Sequence, residues 1–150
     1  MGDSPETLGG VEMTDREVDA FLREQGVGVL SLARGSEAYG VPVSFGYDGD
    51  RLYFVFLLAG EESRKEALAE LTDRASFLAY EIESRYRWRS VVAAGPIREV
   101  GDEEWPALRA AIEANAWYPD LFSRTDPMRG VGGRVLEIDE VSGIRSTGTD

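Results

Sequence analysis

Two stretches beginning at Val27, VGVLSLAR (27–34) and YGVPVSFGYDGDRLYFVFLL (39–58), limit the fold more than any other feature of the chain. Both are rich in β-branched and aromatic residues, which pack well on a pleated surface and lose rotamer freedom in a helix. Asp48-Gly49-Asp50 is a tight-turn sequence inside the second stretch. The spacing therefore predicts three successive strands, the last two joined by a hairpin.

The flanking segments add short helices and more strands. Thr14-x-x-Glu17 is a capping box, and Val18, Phe21 and Leu22 follow at the spacing of one apolar helix face, which Gly26 ends. Ser63 to Leu71 reads as a second helix with Ala67, Leu68 and Leu71 on its apolar side. RASFLAYEIE (74–83) and RYRWRSVVAAGPIREV (85–100) read as strands, DEEWPALRAAIEAN (102–115) as a helix and GRVLEIDEVSGIRS (133–146) as one closing strand. Asn115 to Phe122, with Trp117, Tyr118 and Phe122 around Pro119, reads as an aromatic cover for the core, a subunit contact or a wall beside a bound ligand. The order αβββαββαβ with hairpin-length connections is a mainly β, α+β class: an antiparallel sheet curled into a barrel with helices outside. A doubly wound fold would need regular strand and helix alternation and a GxGxxG turn, and the sequence has neither.

With 150 residues the chain suits one compact domain, read here as 13–150 behind a flexible tail at 1–12 that is rich in Gly and acidic residues. No apolar run reaches the ~20 residues of a membrane helix, and the start lacks a signal-peptide pattern, so a soluble cytoplasmic protein is expected. Net charge is −12, which repels nucleic acid and anionic membranes. Fifteen of the sixteen basic residues are arginine, so the acidic, arginine-biased composition reads either as a halophilic adaptation or as compositional drift. There is no cysteine and no histidine. That removes thiolate chemistry, imidazole bases and the commonest metal ligands, so any redox step must rest on an organic cofactor.

Three segments carry candidate site residues. Ser63-x-x-Glu66 is a second capping box whose next positions are Arg64 and Lys65, the sole lysine. Cations oppose the helix dipole in a first turn. Two readings fit them: a bound phosphate held by backbone N–H groups, hydroxyl and cations, or neutralisation by Glu61 and Glu62. Arg85, Arg87 and Arg89 fall on one face of a strand, with Tyr86, Trp88 and Ser90 on the other. Such a row meets either carboxylates or an anion. Pro42, in Tyr39 to Phe45, removes a ladder donor and places its strand at an edge or bulge.

Taken in order, these segments resemble the pyridoxamine 5′-phosphate oxidase-like family of flavin-binding split β-barrels, over roughly residues 14–147. The resemblance rests on the helix before GVLSL, the pair VPVSFGYDGDRLYFVF, the Ser-Arg-Lys helix start, RWRSVVAAG and VLEIDEVSGIRS. It implies an FMN phosphate site at Ser63, Arg64 and Lys65. It implies a ring edge lined by Pro42, Val43 and Ser44 with Phe56 near the end of the partner strand, and further cofactor contacts from Trp88, Arg89 and Ser90. It also implies a homodimer with the flavin between subunits, and a deazaflavin as the alternative cofactor. The nearest branch is that of nitroimidazole reductases. That branch has a histidine just after the partner strand where this chain has Val55-Phe56-Leu57-Leu58, so the resemblance does not extend to its substrate. The expected function is an FMN-dependent oxidoreductase acting on a small molecule, with a nicotinamide cofactor as possible reductant. The alternatives are a non-catalytic flavin carrier or sensor, or a member that has lost its ligand. No residue is singled out as a catalytic acid or base, and no metal site is expected.

Overall fold

The computed structural model describes residues 10–57, 68–70, 72–115 and 131–147, with side chains at 56, 57 and 131 left aside. In chain order these form β1 (Gly10–Glu12), α1 (Asp15–Glu24), β2 (Val27–Arg34), β3 (Glu37–Tyr47), β4 (Arg51–Leu57), β5 (Arg74–Ser84), β6 (Arg87–Glu99), α2 (Trp105–Asn115), β7 (Val131–Glu137) and β8 (Glu140–Ser146). Residues 68–70 are helical and a short 3-10 turn, Asp102–Glu104, leads into α2.

Every pairing among the described strands is antiparallel. The order β6-β5-β2-β3-β4-β7 closes on itself through a β6–β7 pairing, giving a six-stranded barrel, while β8 and β1 extend the sheet beyond β6. The mainly β split-barrel class expected from the sequence is the class observed. Strand β6 makes this possible because it is long: its Arg89–Ala94 half pairs with β8 and its Ile97–Glu99 part with β7 along the same edge.

Local chemistry explains the elements. The Thr14 hydroxyl accepts from the Glu17 N–H at 3.1 Å and the Glu17 carboxylate accepts from the Thr14 N–H at 2.8 Å, completing the expected capping box of α1. Val18, Phe21 and Leu22 are buried, as their spacing predicts. At the β3–β4 hairpin Gly49 takes a φ of +105° and the Asp48 carboxylate accepts the N–H groups of Asp50 and Arg51. The barrel interior is filled by Leu30, Leu32, Phe45, Phe54 and Phe77, with Phe45 and Phe77 edge to face at 4.7 Å. Helix α2 lies so close on β3 that a methyl on Gly46 would stand 2.6 Å from the Ala111 carbonyl carbon. Leu108, Ala111 and Ile112 of α2 close a second cluster with Tyr53 and Val135.

Two expectations need correction. The tail does not run to residue 12: Gly10–Glu12 pair with Ile144–Ser146 of β8, because an open strand edge gives a short segment a full set of backbone partners whatever its composition. Residues 1–9 lie outside the described residues. The closing segment 133–146 is two strands, broken at Ile138-Asp139. Partner numbers sum to 233 across β6–β7 (Ile97 with Leu136) and to 234 across β6–β8 (Ala94 with Glu140), a slip of one residue. Arg74 holds the break by a bidentate pair to Asp139, both distances 2.8 Å. Among the described residues no helix is long and apolar enough to cross a membrane.

Candidate functional site

The barrel is split along β3. Its Glu37–Ser44 stretch pairs with β2, whereas pairing with β4 begins only at Phe45. The Phe45 N–H donates to the Gly26 carbonyl at 3.3 Å, which makes Gly26–Phe45 a hydrogen-bonded pair. Because such pairs alternate in antiparallel sheets, Gly28–Val43 is bonded and Val27–Ser44 and Val29–Pro42 are not. The backbone N–H of Ser44 and the carbonyl of Pro42 therefore point away from β2, toward the edge that opens where β4 departs from β3, while the Ser44 carbonyl faces Val55 of β4 beside the Phe45–Phe54 pair. Pro42 adds no donor there. The prolyl position thus sits on an edge, as the sequence predicts.

The side chains split by face. Val43 is buried in the core beside Phe45 and its backbone groups are turned to Gly28 of β2, so it offers the edge neither a side chain nor a free backbone group. Pro42 and Ser44 point to the outer face. The Ser44 Oγ is buried and is the one buried side-chain polar atom among the described residues with no hydrogen-bond partner.

The same outer face carries the β6 candidates. Pro42 stands opposite Val29, Val29 opposite Leu78, Leu78 opposite Val92; two residues along, Tyr80 stands opposite Ser90 and Ser90 opposite Ile144. Ile82 stands opposite Trp88. This face is apolar and open to solvent: Tyr80 is 52% exposed, Ile82 67%, Val92 44% and Ile144 42%. A groove of about 380 Å³ runs along it, lined by Leu78, Tyr80, Ile82, Trp88 and Ser90 with Arg85 at its rim. The Pro42–Ser44 edge and the Trp88–Ser90 segment share a face, but three strand spacings separate β3 from β6, about 14 Å. Within one chain they form two clusters.

Arg89 also lines this groove, but not with its charged end. Its side chain turns to the opposite face, with Nε 2.9 Å from Glu81, an NH2 3.4 Å from Glu24 and the guanidinium 4.7 Å over the Phe21 ring. It ties α1 to the sheet. Arg87 pairs with Glu83 at 3.3 Å. Of the two readings of the arginine row, carboxylate neutralisation holds for both. A polar groove of about 390 Å³ at this end is lined by Glu81, Arg87, Trp88, Arg89, Arg145 and Ser146. The Trp88 N–H donates to the Ser146 hydroxyl at 3.1 Å, fixing Trp88 between the two grooves.

Ser63, Arg64 and Lys65, the side chain of Phe56 and the Trp117–Phe122 cluster lie outside the described residues. The helical residues 68–70 that follow are anchored: Leu68 and Ala69 are buried, and the buried Thr72 hydroxyl sits 2.6 Å from the Leu68 carbonyl and 3.2 Å from the Ala33 N–H. One buried cation escaped sequence reasoning. Arg134 of β7 is 2% exposed, donates to the Gly133 carbonyl at 3.2 Å and lies 3.6 Å from Glu70 of the helical turn. The signal was an arginine on the inward register of a strand, opposite Phe54.

The displaced proton affinities belong to contacts that hold the fold, two of them inside or beside the core. Burial, and then the Asp19 carboxylate 2.8 Å away, push the Tyr47 hydroxyl up, while Arg98 and the Gly101 N–H hold Glu104 down at about 2. Among the described residues no cluster of three or more carboxylates could hold a metal ion.

Residues 14–145 match the family model described as pyridoxamine 5′-phosphate oxidase. No curated protein shows a significant sequence match. Solved structures share the architecture. An FAD-binding protein from Mesorhizobium loti is 21% identical, with 92% of this chain and 99% of that one covered at a TM-score of 0.75. A candidate 5-nitroimidazole antibiotic resistance protein from Bacteroides thetaiotaomicron is 19% identical over 91% and 87% of the two chains, TM-score 0.72. The FAD and heme binding protein from Mycobacterium smegmatis is 20% identical over 93% and 74%, TM-score 0.68.

Proposed function

The chain belongs to the pyridoxamine 5′-phosphate oxidase family, and from that premise we propose that it is a cytoplasmic flavoprotein binding FMN at the open edge of β3. The observation that carries the reading is the edge itself: the Pro42 carbonyl and the Ser44 N–H face outward beside a buried hydroxyl without a protein partner. A planar heteroaromatic ring with carbonyls and ring nitrogens along one side fits such a row. The FAD-binding descriptions of the Mesorhizobium loti and Mycobacterium smegmatis neighbours agree with a flavin.

Bound there, the flavin supplies hydride or electron transfer. The chain's own residues bind and orient it. Ser63, Arg64 and Lys65, at the start of the helix expected before residue 68, hold the phosphate by hydroxyl, guanidinium and ammonium. The open face of β5, β6 and β8 seats a second copy, which covers Tyr80, Ile82 and Ile144 and brings its own Trp88 and Ser90 to the β3 edge that lies about 14 Å from them within one chain. Val43 acts by packing the core behind the edge, and Arg89 acts by holding α1. A small-molecule acceptor reduced at the expense of a nicotinamide cofactor completes the oxidoreductase reading.

The test is a fluorescence titration with FMN and with riboflavin, which lacks the phosphate, on wild type and on Arg64→Ala/Lys65→Ala. The variant is expected to lose FMN affinity by at least about tenfold while riboflavin binding stays level. Equal FMN binding in both proteins contradicts the phosphate assignment. A flavin that binds but is reduced by NADH or NADPH no faster than free FMN assigns the protein to carriage or sensing instead.

A further inference from the structure

Resting on that flavin reading, we propose that the apolar groove beside Trp88 takes an organic carboxylate as the small-molecule substrate, its body on Tyr80 and Ile82 and its charge on Arg85. The sequence sets Arg85 in a row with Arg87 and Arg89, but the structure breaks that row. Strand β6 starts at Arg87, and a bulge between Ile82 and Ser84 offsets the end of β5. Arg85 therefore lies in the connecting turn, and its side chain reaches the rim of the outer groove. Glu83 and Glu81 neutralise Arg87 and Arg89, whereas no carboxylate of the described residues pairs with Arg85. In a chain with 28 acidic residues and 16 basic ones that is the exception. Every other described arginine except Arg16 stands within 4.0 Å of a carboxylate. Arg16 is exposed on α1 and lines neither groove.

The groove and the cation complement each other. The Arg85 guanidinium stacks 5.4 Å over the Tyr86 ring, which limits its orientation and leaves its N–H edge for an acceptor. A single guanidinium matches the single charge and planar fork of a carboxylate, while a phosphate dianion would need further cations. The groove holds about 380 Å³, the size of a small-molecule site. Its walls are apolar apart from two serine hydroxyls, so a ligand's charge has to lie at the Arg85 end. From Ser90 to Arg87 the strand runs about 10 Å, and Arg85 lies beyond it in the turn, so an aryl or medium acyl body spans the groove. The second copy meets this groove at its Trp88–Ser90 end, which sets the apolar body toward the flavin and the carboxylate away from it.

The experiment titrates FMN-loaded protein by calorimetry with 2-naphthoate and with its uncharged amide, in wild type, in Arg85→Gln and, as the control, in Arg16→Gln. Wild type is expected to bind the naphthoate about tenfold more tightly than the amide. Arg85→Gln should bring the naphthoate down to the level of the amide and leave the amide unchanged, and Arg16→Gln should alter neither. Equal affinity for the two compounds in wild type overturns the inference, and so does a preference that survives Arg85→Gln. Binding of neither compound also overturns it and gives the groove to side chains of the second copy. A failure of the flavin reading looks different: the protein retains no FMN at the loading step, which removes the substrate role before any titration.

Discussion

Gly95 of β6 passes so close to Glu137 that a methyl on its Cα would stand 1.8 Å from the Glu137 carbonyl oxygen. The contact falls where the final segment leaves β7 and slips one residue before pairing again as β8. Gly95→Ala must push two backbones apart at the seam that closes the barrel. It is expected to lower stability by about 2 kcal/mol or more, read from the urea midpoint. Gly40→Ala is the control, because a methyl there meets nothing closer than 3.7 Å. Equal losses in the two variants would show that the close approach at Gly95 is not what the seam depends on.

Glu104 predicts a specific acid sensitivity. Arg98 bonds its two oxygens at 2.8 Å each and the Gly101 N–H bonds Oε1 at 2.9 Å, taking the carboxyl from an ordinary 4.5 to about 2. A depressed carboxyl stabilises the folded state fully above its unfolded value and loses that contribution as pH falls through its folded value. Wild type should therefore lose urea resistance between pH 4.5 and 2 more steeply than Glu104→Gln, whose remaining carboxylates titrate alike. Added salt should shrink the difference, since Glu104 is partly exposed. Parallel pH profiles would contradict the assignment.

The outer face predicts the assembly. Ile82 is 67% exposed, so Ile82→Glu should leave the melting temperature of an isolated chain within a degree or two while halving the mass seen by light scattering. A variant with the wild-type mass places the subunit contact elsewhere.

Much of the architecture was legible because it is set by neighbours in sequence. The capping box at Thr14 and Glu17, the face formed by Val18, Phe21 and Leu22, and the turn at Asp48-Gly49-Asp50 each depend on residues within a few positions of one another. What depends on distant partners was not legible. Gly10–Glu12 become a strand because β8 leaves an edge for them, and 133–146 divides because β6 is long enough to serve both β7 and β8. The site shows the same division. Pro42 announced an edge through its missing N–H, and period 2 set Trp88 and Ser90 opposite Arg89. That Arg89 serves α1, that Arg134 is buried beneath the helical turn at Glu70, and that Ser44 has an unsatisfied hydroxyl are properties of packing. No spacing rule encodes them.

We infer that the β3 edge of this chain holds a flavin. Its most direct test is the visible absorbance of the purified protein after incubation with excess FMN, FAD or a deazaflavin and removal of unbound ligand. A flavin site there gives a coloured protein that retains FMN in equal molar amount to the chain, with absorbance bands shifted from those of the free cofactor. A folded protein that remains colourless with all three contradicts it.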